Sequence, residues 1–299
     1  MSMASVLATT TNTAPAQGAR RRSRTAYFLL LPGMGWLALF FAVPFITLFV
    51  TSLQVPVPGT SGQYMAAFDL ANYPEALSYY SEQFIRSLVY AGIATILALI
   101  IAYPLAYFIA FRGGQWKGLL LVLVIAPTFA SFLLRTYAWR TILADEGPIT
   151  SFLNALSVLP QDRILNTGLA VIAGLTYNFL PFMILPLFAA LDRIDPRLIE
   201  ASGDLYSHPA TTFRKVVWPL SLPGVVAGTL LTFIPAFGDY INAQLLGSTG
   251  DRMIGNAIQI NFIQFRDYPI AAALSIMVMA LILVIVFFYI RRAGTEELV

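Results

Sequence analysis

EASGDLYSHPATTFRKVVWPLSLPG, residues 200–224, is a long polar stretch between two apolar runs, and it holds the chain's one histidine. Just before it, Asp195-Pro196 reads as a helix start: the carboxylate caps orphan N–H groups, and proline's missing N–H costs nothing at the first helical position. From there Leu198, Ala201, Ser202 and Leu205 share one helical side. A break is expected at Ser207-His208-Pro209, where Pro209 opens a second short helix carrying Phe213, Val216 and Val217, with Arg214 and Lys215 on its wetter side. Pro219 then returns the chain to apolar sequence. The stretch therefore predicts a compact helix-turn-helix outside the bilayer, with apolar knobs flanked by charge.

What lies around it is membrane-grade. Of 299 residues, 58% are hydrophobic and 11% charged, with a mean hydropathy of +0.74, too apolar for one soluble core. A spanning helix needs about 20 apolar residues, and six stretches qualify: 27–52, 84–111, 118–142, 167–190, 219–240 and 269–290. The predicted class is an all-α membrane protein of about six transmembrane helices. Pro32, Pro44, Pro104, Pro127, Pro181, Pro186 and Pro235 fall inside these runs, which suggests kinked helices packed around a path. Residues 1–19 are Ser/Thr/Ala-rich and cannot bury enough apolar surface to order, so 1–24 reads as a disordered tail, 25–292 as the membrane domain and 293–299 as a short C-terminal tail. The run after Arg20–Arg24 is longer than a signal-peptide core of roughly 7–15 residues and is expected to stay as the first helix.

With both termini inside, twelve of the eighteen Lys and Arg residues (20, 21, 22, 24, 112, 117, 193, 197, 214, 215, 291 and 292) fall on inner segments, against Arg86, Arg135, Arg140, Arg163, Arg252 and Arg266 outside. The positive-inside bias thus predicts a multi-pass protein of the cytoplasmic membrane with both termini and the 200–224 stretch cytoplasmic. The absence of cysteine leaves no thiolate metal site, and a single histidine cannot build an imidazole cluster, so composition speaks against metal chemistry and against Ser-His-Asp catalysis without forbidding them. There is no G-x-x-x-x-G-K-[ST] phosphate loop either, so ATP is not expected to bind here in that familiar way. A net charge of +3 does not imply nucleic acid.

The polar stretch resembles the EAA signature of ABC-importer permeases: Glu-Ala-Ala, three residues, Gly, nine residues, Ile, one residue, Leu-Pro. Glu200-Ala201-Ser202 holds the first part, Val216 the Ile position, and Leu222-Pro223 follows later than the simple spacing. Gly203, Asp204-Leu205, Trp218-Pro219-Leu220 and Leu222-Pro223-Gly224 resemble the spermidine/putrescine branch most. So do 174–195 (GLTYNFLPFMILPLFAALDRID), 234–247 (IPAFGDYINAQLLG) and 253–275 (MIGNAIQINFIQFRDYPIAAALS), extending the likeness over roughly 27–292. The resemblance implies a type I importer fold in which residues 192–218, with Glu200 to Leu205, Tyr206, His208 and Pro209, seat in a groove of an ATP-binding subunit. It further implies two such subunits carrying ATP and Mg, a second similar permease, an extracytoplasmic binding protein, surrounding lipid, and no cofactor on this chain. Tyr206 departs from the pattern, standing where the family has the glycine that accepts a left-handed helix end. Either the turn is displaced toward Ser207-His208, or a particular partner accommodates the ring. His208 itself reads as a cap or surface contact rather than a proton relay.

For a substrate path, Asp239 is the one carboxylate within or near the end of a span, and acids at membrane depth are expensive and usually functional. Phe237 and Tyr240 beside it offer aromatic faces to a cation, and Tyr177, Asn178, Tyr137 and Trp139 could add walls. Tyr137 and Trp139 suit an interfacial aromatic belt equally well. Two outer segments carry helical stripes, Ile149, Phe152, Leu153, Leu156 and Ile254, Ile258, Phe262, Phe265, either as caps on the bundle or as a docking or gating surface. The expected function is half of the path for a solute, a polyamine by resemblance, with ferric ion, phosphonate, thiamine or a sugar as alternatives. An ion-driven transporter would call for paired buried carboxylates and inverted repeats, and a membrane enzyme for converging nucleophile, base or metal ligands. Neither pattern is visible.

Overall fold

The protein is seen in a computed structural model that describes residues 24–57, 59, 62–156 and 163–293. Of the expected tails 1–24 and 293–299, residues 1–23 and 294–299 lie outside the described residues, while Arg24 and Ala293 are the terminal residues of helices. Two units are distinguished, one ending at Thr47 and the other beginning at Leu48. Helix α1 (Arg24–Ser52) makes up the described part of the first and contains Pro32 and Pro44.

In the second unit, a two-stranded hairpin, β1 (Gln54–Pro56) and β2 (Tyr64–Ala66), leads into α2 (Asn72–Arg112). With α6 (Gly168–Asp192) and α9 (Trp218–Phe237), α2 forms the packed centre. Along α2, Ala91, Ala94, Ala98, Ala102 and Ala106 are almost wholly buried at three- and four-residue steps, so one side of the helix is a groove of small residues. Such a groove matters in hydrocarbon, where lipid tails are as apolar as leucine and association depends on close backbone packing. Between α6 and α9 the approach is closer still. A Cβ on Gly224 would lie 2.5 Å from Ala190 Cβ and 2.7 Å from the Pro186 carbonyl oxygen; one on Gly228 would lie 2.8 Å from the Met183 sulfur.

The third expected span is not one continuous helix. Helix α3 (Lys117–Ile125) tightens into a 3₁₀ turn at Ala126–Phe129, and α4 (Phe132–Ile142) sets off after a bend of 92°. Pro127 supplies no N–H to the ladder, and Ala130 and Ser131 are extended (ψ 147° and 135°), so the helical bonds cannot carry across. Five described helices are long and apolar enough to cross a membrane, six when this bent pair is taken as one span.

Shorter helices fill the connections: α5 (Pro148–Ala155), α7 (Pro196–Asp204), α8 (Pro209–Thr212), α10 (Ile241–Leu246) and α11 (Ile254–Ile260). A π-helical turn, Phe213–Val217, joins α8 to α9; another, Asn261–Phe265, precedes α12 (Tyr268–Ala293). The two outer stripes divide. Ile149, Leu153, Ile254 and Ile258 pack on the core, while Phe152, Leu156, Phe262 and Phe265 stay 55–68% exposed.

Candidate functional site

Two places concentrate polar chemistry: the helix-turn-helix at one end of the bundle and a chain of side chains in its middle. At the first, Asp195 caps α7 by accepting the Arg197 N–H at 3.0 Å, with Pro196 as the first helical residue. Ile199 turns inward against the cluster of Leu191, buried Ile194 and Val217, whereas Leu198, Glu200, Ala201, Gly203, Asp204 and Leu205 are exposed. The side shared by Leu198, Ala201 and Leu205 therefore points away from the bundle. Ser202 departs from it, its hydroxyl lying 2.7 Å from that of Thr212 and tying α7 to α8.

The turn is not displaced. Tyr206 has φ 57°, its N–H donates to the Gly203 carbonyl at 2.9 Å, and the Ser207 N–H donates to the Ser202 carbonyl at 3.2 Å. This is the paired closure that normally selects glycine, held by a tyrosine at a cost of about 1–2 kcal/mol. The Tyr206 side chain is 100% exposed. His208 Nδ1 accepts the Ala210 N–H at 3.3 Å, so the histidine caps α8, with Pro209 next in the helix.

The root of the turn is aromatic. Phe213 packs 5.5 Å from Tyr103 and 6.4 Å from Tyr107, Trp218 lies 5.3 Å from Tyr103, and the Tyr103 and Ser221 hydroxyls pair at 2.7 Å in a buried contact. Lys117 reaches Asp192 at 2.6 Å. The helix-turn-helix is thus fastened to α2, α6 and α9, and displacing its apex must strain that contact.

In the middle of the bundle, Asp239 Oδ1 accepts both the Asn242 N–H at 2.7 Å and the Asn242 amide Nδ2 at 3.2 Å. Asn242 Oδ1 accepts from Asn178 Nδ2 at 3.0 Å, and the same amide reaches Thr136 Oγ1 at 3.3 Å. Asn178 is near the midpoint of α6, and Asp239 (8% exposed), Asn242, Asn178 and Thr136 are all buried. The chain connects the end of α9, the first turn of α10, α6 and the broken α4. Gly174 makes room for it, since a Cβ there would lie 2.7 Å from Asn242 Oδ1.

The other expected path residues are only partly gathered. Trp139 and Tyr177 meet at a tilt with ring centroids 5.2 Å apart and line an apolar recess of about 330 Å³; Tyr177 also lines an adjoining one of about 190 Å³ with Arg135, whose guanidinium sits 5.6 Å from the Phe132 ring. Tyr137, half exposed, is two residues from Trp139 and so lies on a different side of α4. Tyr240 is 39% exposed beside Asp239. Phe237 must be corrected: it is wholly buried, 5.9 Å from Phe233 in the core, because that side of α9 faces neighbouring helices. Thr136 and Asn242 were missed by the sequence reading. The three-residue spacing of Asp239 and Asn242, typical of a helix cap, was the available signal for the latter. No described group of three or more His, Cys, Asp or Glu residues could hold a metal.

Comparison with known proteins adds to this geometry. Residues 94–292 match the family described as binding-protein-dependent transport system inner membrane component. The chain is 36% identical over 258 residues to the spermidine/putrescine transport system permease protein PotB of Haemophilus influenzae, covering 86% of this chain and 90% of that one. To PotB of Escherichia coli it is 37% identical over 257 residues, covering 84% and 93%. Among solved structures, a bacterial ABC transporter involved in the import of the acidic polysaccharide alginate superimposes with a TM-score of 0.65 at 20% identity, over 92% of this chain and 97% of that one.

Proposed function

Because the chain belongs to the binding-protein-dependent transport system inner membrane component family, we propose that it forms half of the path through an ATP-driven importer whose solute is spermidine or putrescine. A second permease subunit completes the path, two ATP-hydrolysing subunits carrying ATP and Mg attach at the cytoplasmic face, and an extracytoplasmic binding protein delivers the solute. Lipid surrounds the spans, both termini are cytoplasmic, and residues 192–218 form the coupling segment of a membrane domain covering 25–292. The polyamine assignment draws on the PotB relatives.

The observation that carries this reading is the exposed α7–α8 pair rooted in three membrane helices. Closure of the ATP-hydrolysing subunits presses on Glu200, Ala201, Ser202, Gly203, Asp204, Leu205, Tyr206, His208 and Pro209. The Ser202–Thr212 contact and the Tyr103–Phe213–Trp218 cluster pass the displacement to α2 and α9. The far end of α9 leads to Asp239, whose Oδ1 accepts both the Asn242 N–H and the Asn242 amide. A protonated amine crossing there pairs with the carboxylate, with Tyr240 as an adjacent π face and Asn178, Tyr177, Trp139 and Tyr137 as more distant walls. Proteoliposomes holding the complete importer test this: spermidine or putrescine with its binding protein should stimulate ATP hydrolysis and accumulate inside. Stimulation by an unrelated solute alone would replace the polyamine assignment.

A further inference from the structure

Three non-glycine residues among those described have positive φ, and two are explained within the chain. Asn166, of a residue type that tolerates the left-handed region, donates its N–H to the Leu246 carbonyl at 2.8 Å; Arg266 ends a π-helical turn and its carbonyl accepts the Tyr64 hydroxyl at 2.8 Å. Tyr206 is different. Its backbone closes α7 as glycine would, yet its ring is completely exposed and no hydrogen bond or ring contact among the described residues uses it. A strained conformation that persists without an internal use for its side chain points to a use elsewhere.

We infer that Tyr206 is the specificity anchor of this permease, its ring filling an apolar slot on the ATP-hydrolysing subunit that a glycine-bearing relative would leave empty. Leu205, 81% exposed, adjoins the ring, and the exposed carboxylates of Glu200 and Asp204 flank the pair. The matching slot is therefore apolar with a basic rim. The backbone bonds that close α7 and the Ser202–Thr212 contact hold the apex before binding, so little ordering accompanies insertion, a favourable arrangement for a hot spot.

This inference rests on the coupling reading, and the experiment separates the two. The permease pair in nanodiscs is titrated with the purified ATP-hydrolysing subunit, using wild type, Tyr206→Gly, Tyr206→Ala, Tyr206→Phe and Glu200→Lys, with thermal unfolding of each permease alone. Tyr206→Gly relieves the strain, so its permease should unfold no earlier than wild type and yet bind the subunit about tenfold or more weakly. Tyr206→Ala should lose as much, and Tyr206→Phe should stay within about twofold of wild type. Wild-type binding by Tyr206→Gly overturns the anchor. If Glu200→Lys then still loses the subunit, docking at this turn survives; if it too binds normally, the coupling reading falls as well.

Discussion

Besides its structural bonds through Oδ1, the proposed path gives Asp239 an electrostatic role through its charge, and a pair of substitutions can separate the two. Asp239→Asn keeps an oxygen acceptor at the same place, and asparagine caps a helix as well as aspartate. The Asn242 contacts at 2.7 and 3.2 Å then change from charge-assisted to neutral, from about 1.5–3 to about 1 kcal/mol each, while the cost of burying a charge is removed. Folding stability should therefore move little. Asp239→Ala gains the same relief but removes the cap, about 1 kcal/mol, and strands the buried Asn242 amide, about 1–3 kcal/mol, and so should be about 2–4 kcal/mol less stable than Asp239→Asn. Transport should respond differently: losing a carboxylate–ammonium pair worth about 1.5–3 kcal/mol slows uptake about tenfold to hundredfold in Asp239→Asn. Uptake of labelled spermidine in proteoliposomes, beside basal ATP hydrolysis and thermal unfolding, is the assay. Wild-type uptake by a stable Asp239→Asn protein would show that the charge lies off the path, and the aspartate would be a helix cap alone.

Glu200→Lys reverses charge on an exposed surface and should abolish uptake while leaving membrane insertion and thermal unfolding unchanged; normal co-purification and transport would refute its coupling role. Gly224→Ala puts a methyl group 2.5 Å from Ala190 Cβ and should destabilise by about 1–3 kcal/mol, with partial recovery in the Gly224→Ala, Ala190→Gly double variant. A wild-type unfolding temperature in Gly224→Ala would mean the helices do not meet there, because the Pro186 carbonyl clash at 2.7 Å persists whatever stands at 190. At Asp251, burial pushes the carboxyl pKa up, but hydrogen bonds from the Ser248 side chain and backbone and from Tyr90 outweigh it and hold the pKa below the usual aspartate value. A depressed folded pKa contributes stability above the unfolded value of about 3.9 that is lost as pH falls through the folded one. Unfolding temperatures measured from pH 6 down to pH 3 should drop less steeply in Asp251→Asn than in wild type, and parallel curves would dismiss the effect.

The spans and the helix-turn-helix were legible because both follow from local rules: hydrocarbon demands long apolar helices, and Asp195-Pro196 and His208-Pro209 are start signals whatever surrounds them. The 92° bend was not. Pro127 was visible, but a proline inside an apolar run kinks or breaks a helix according to whether its neighbours stay helical, and Ala130 and Ser131 carry no mark of their extended backbone. Phe237 was misplaced for a related reason: α9 is apolar on every side, so periodicity cannot show which face meets other helices. The departure at Tyr206 was readable only as a conflict. Its resolution depended on a torsion angle, and glycine-like closure by tyrosine runs against residue preference.

The close contact of Gly224 with Ala190 divides the continuous helix from Pro209 to Phe237 into two arms. At about 1.5 Å per residue, one arm reaches about 22 Å to Pro209 and the other about 20 Å to Phe237. A rod pivoting there is a nearly balanced beam: a push of a few ångströms on the short α8 end emerges as a swing of almost equal size and opposite direction at the Asp239 end, without amplification. Moving the pivot one helical turn toward either end would change the ratio of the arms by about 1.7-fold, so under the proposed coupling the location of this contact along the helix fixes how far the middle of the bundle travels for each stroke applied outside it.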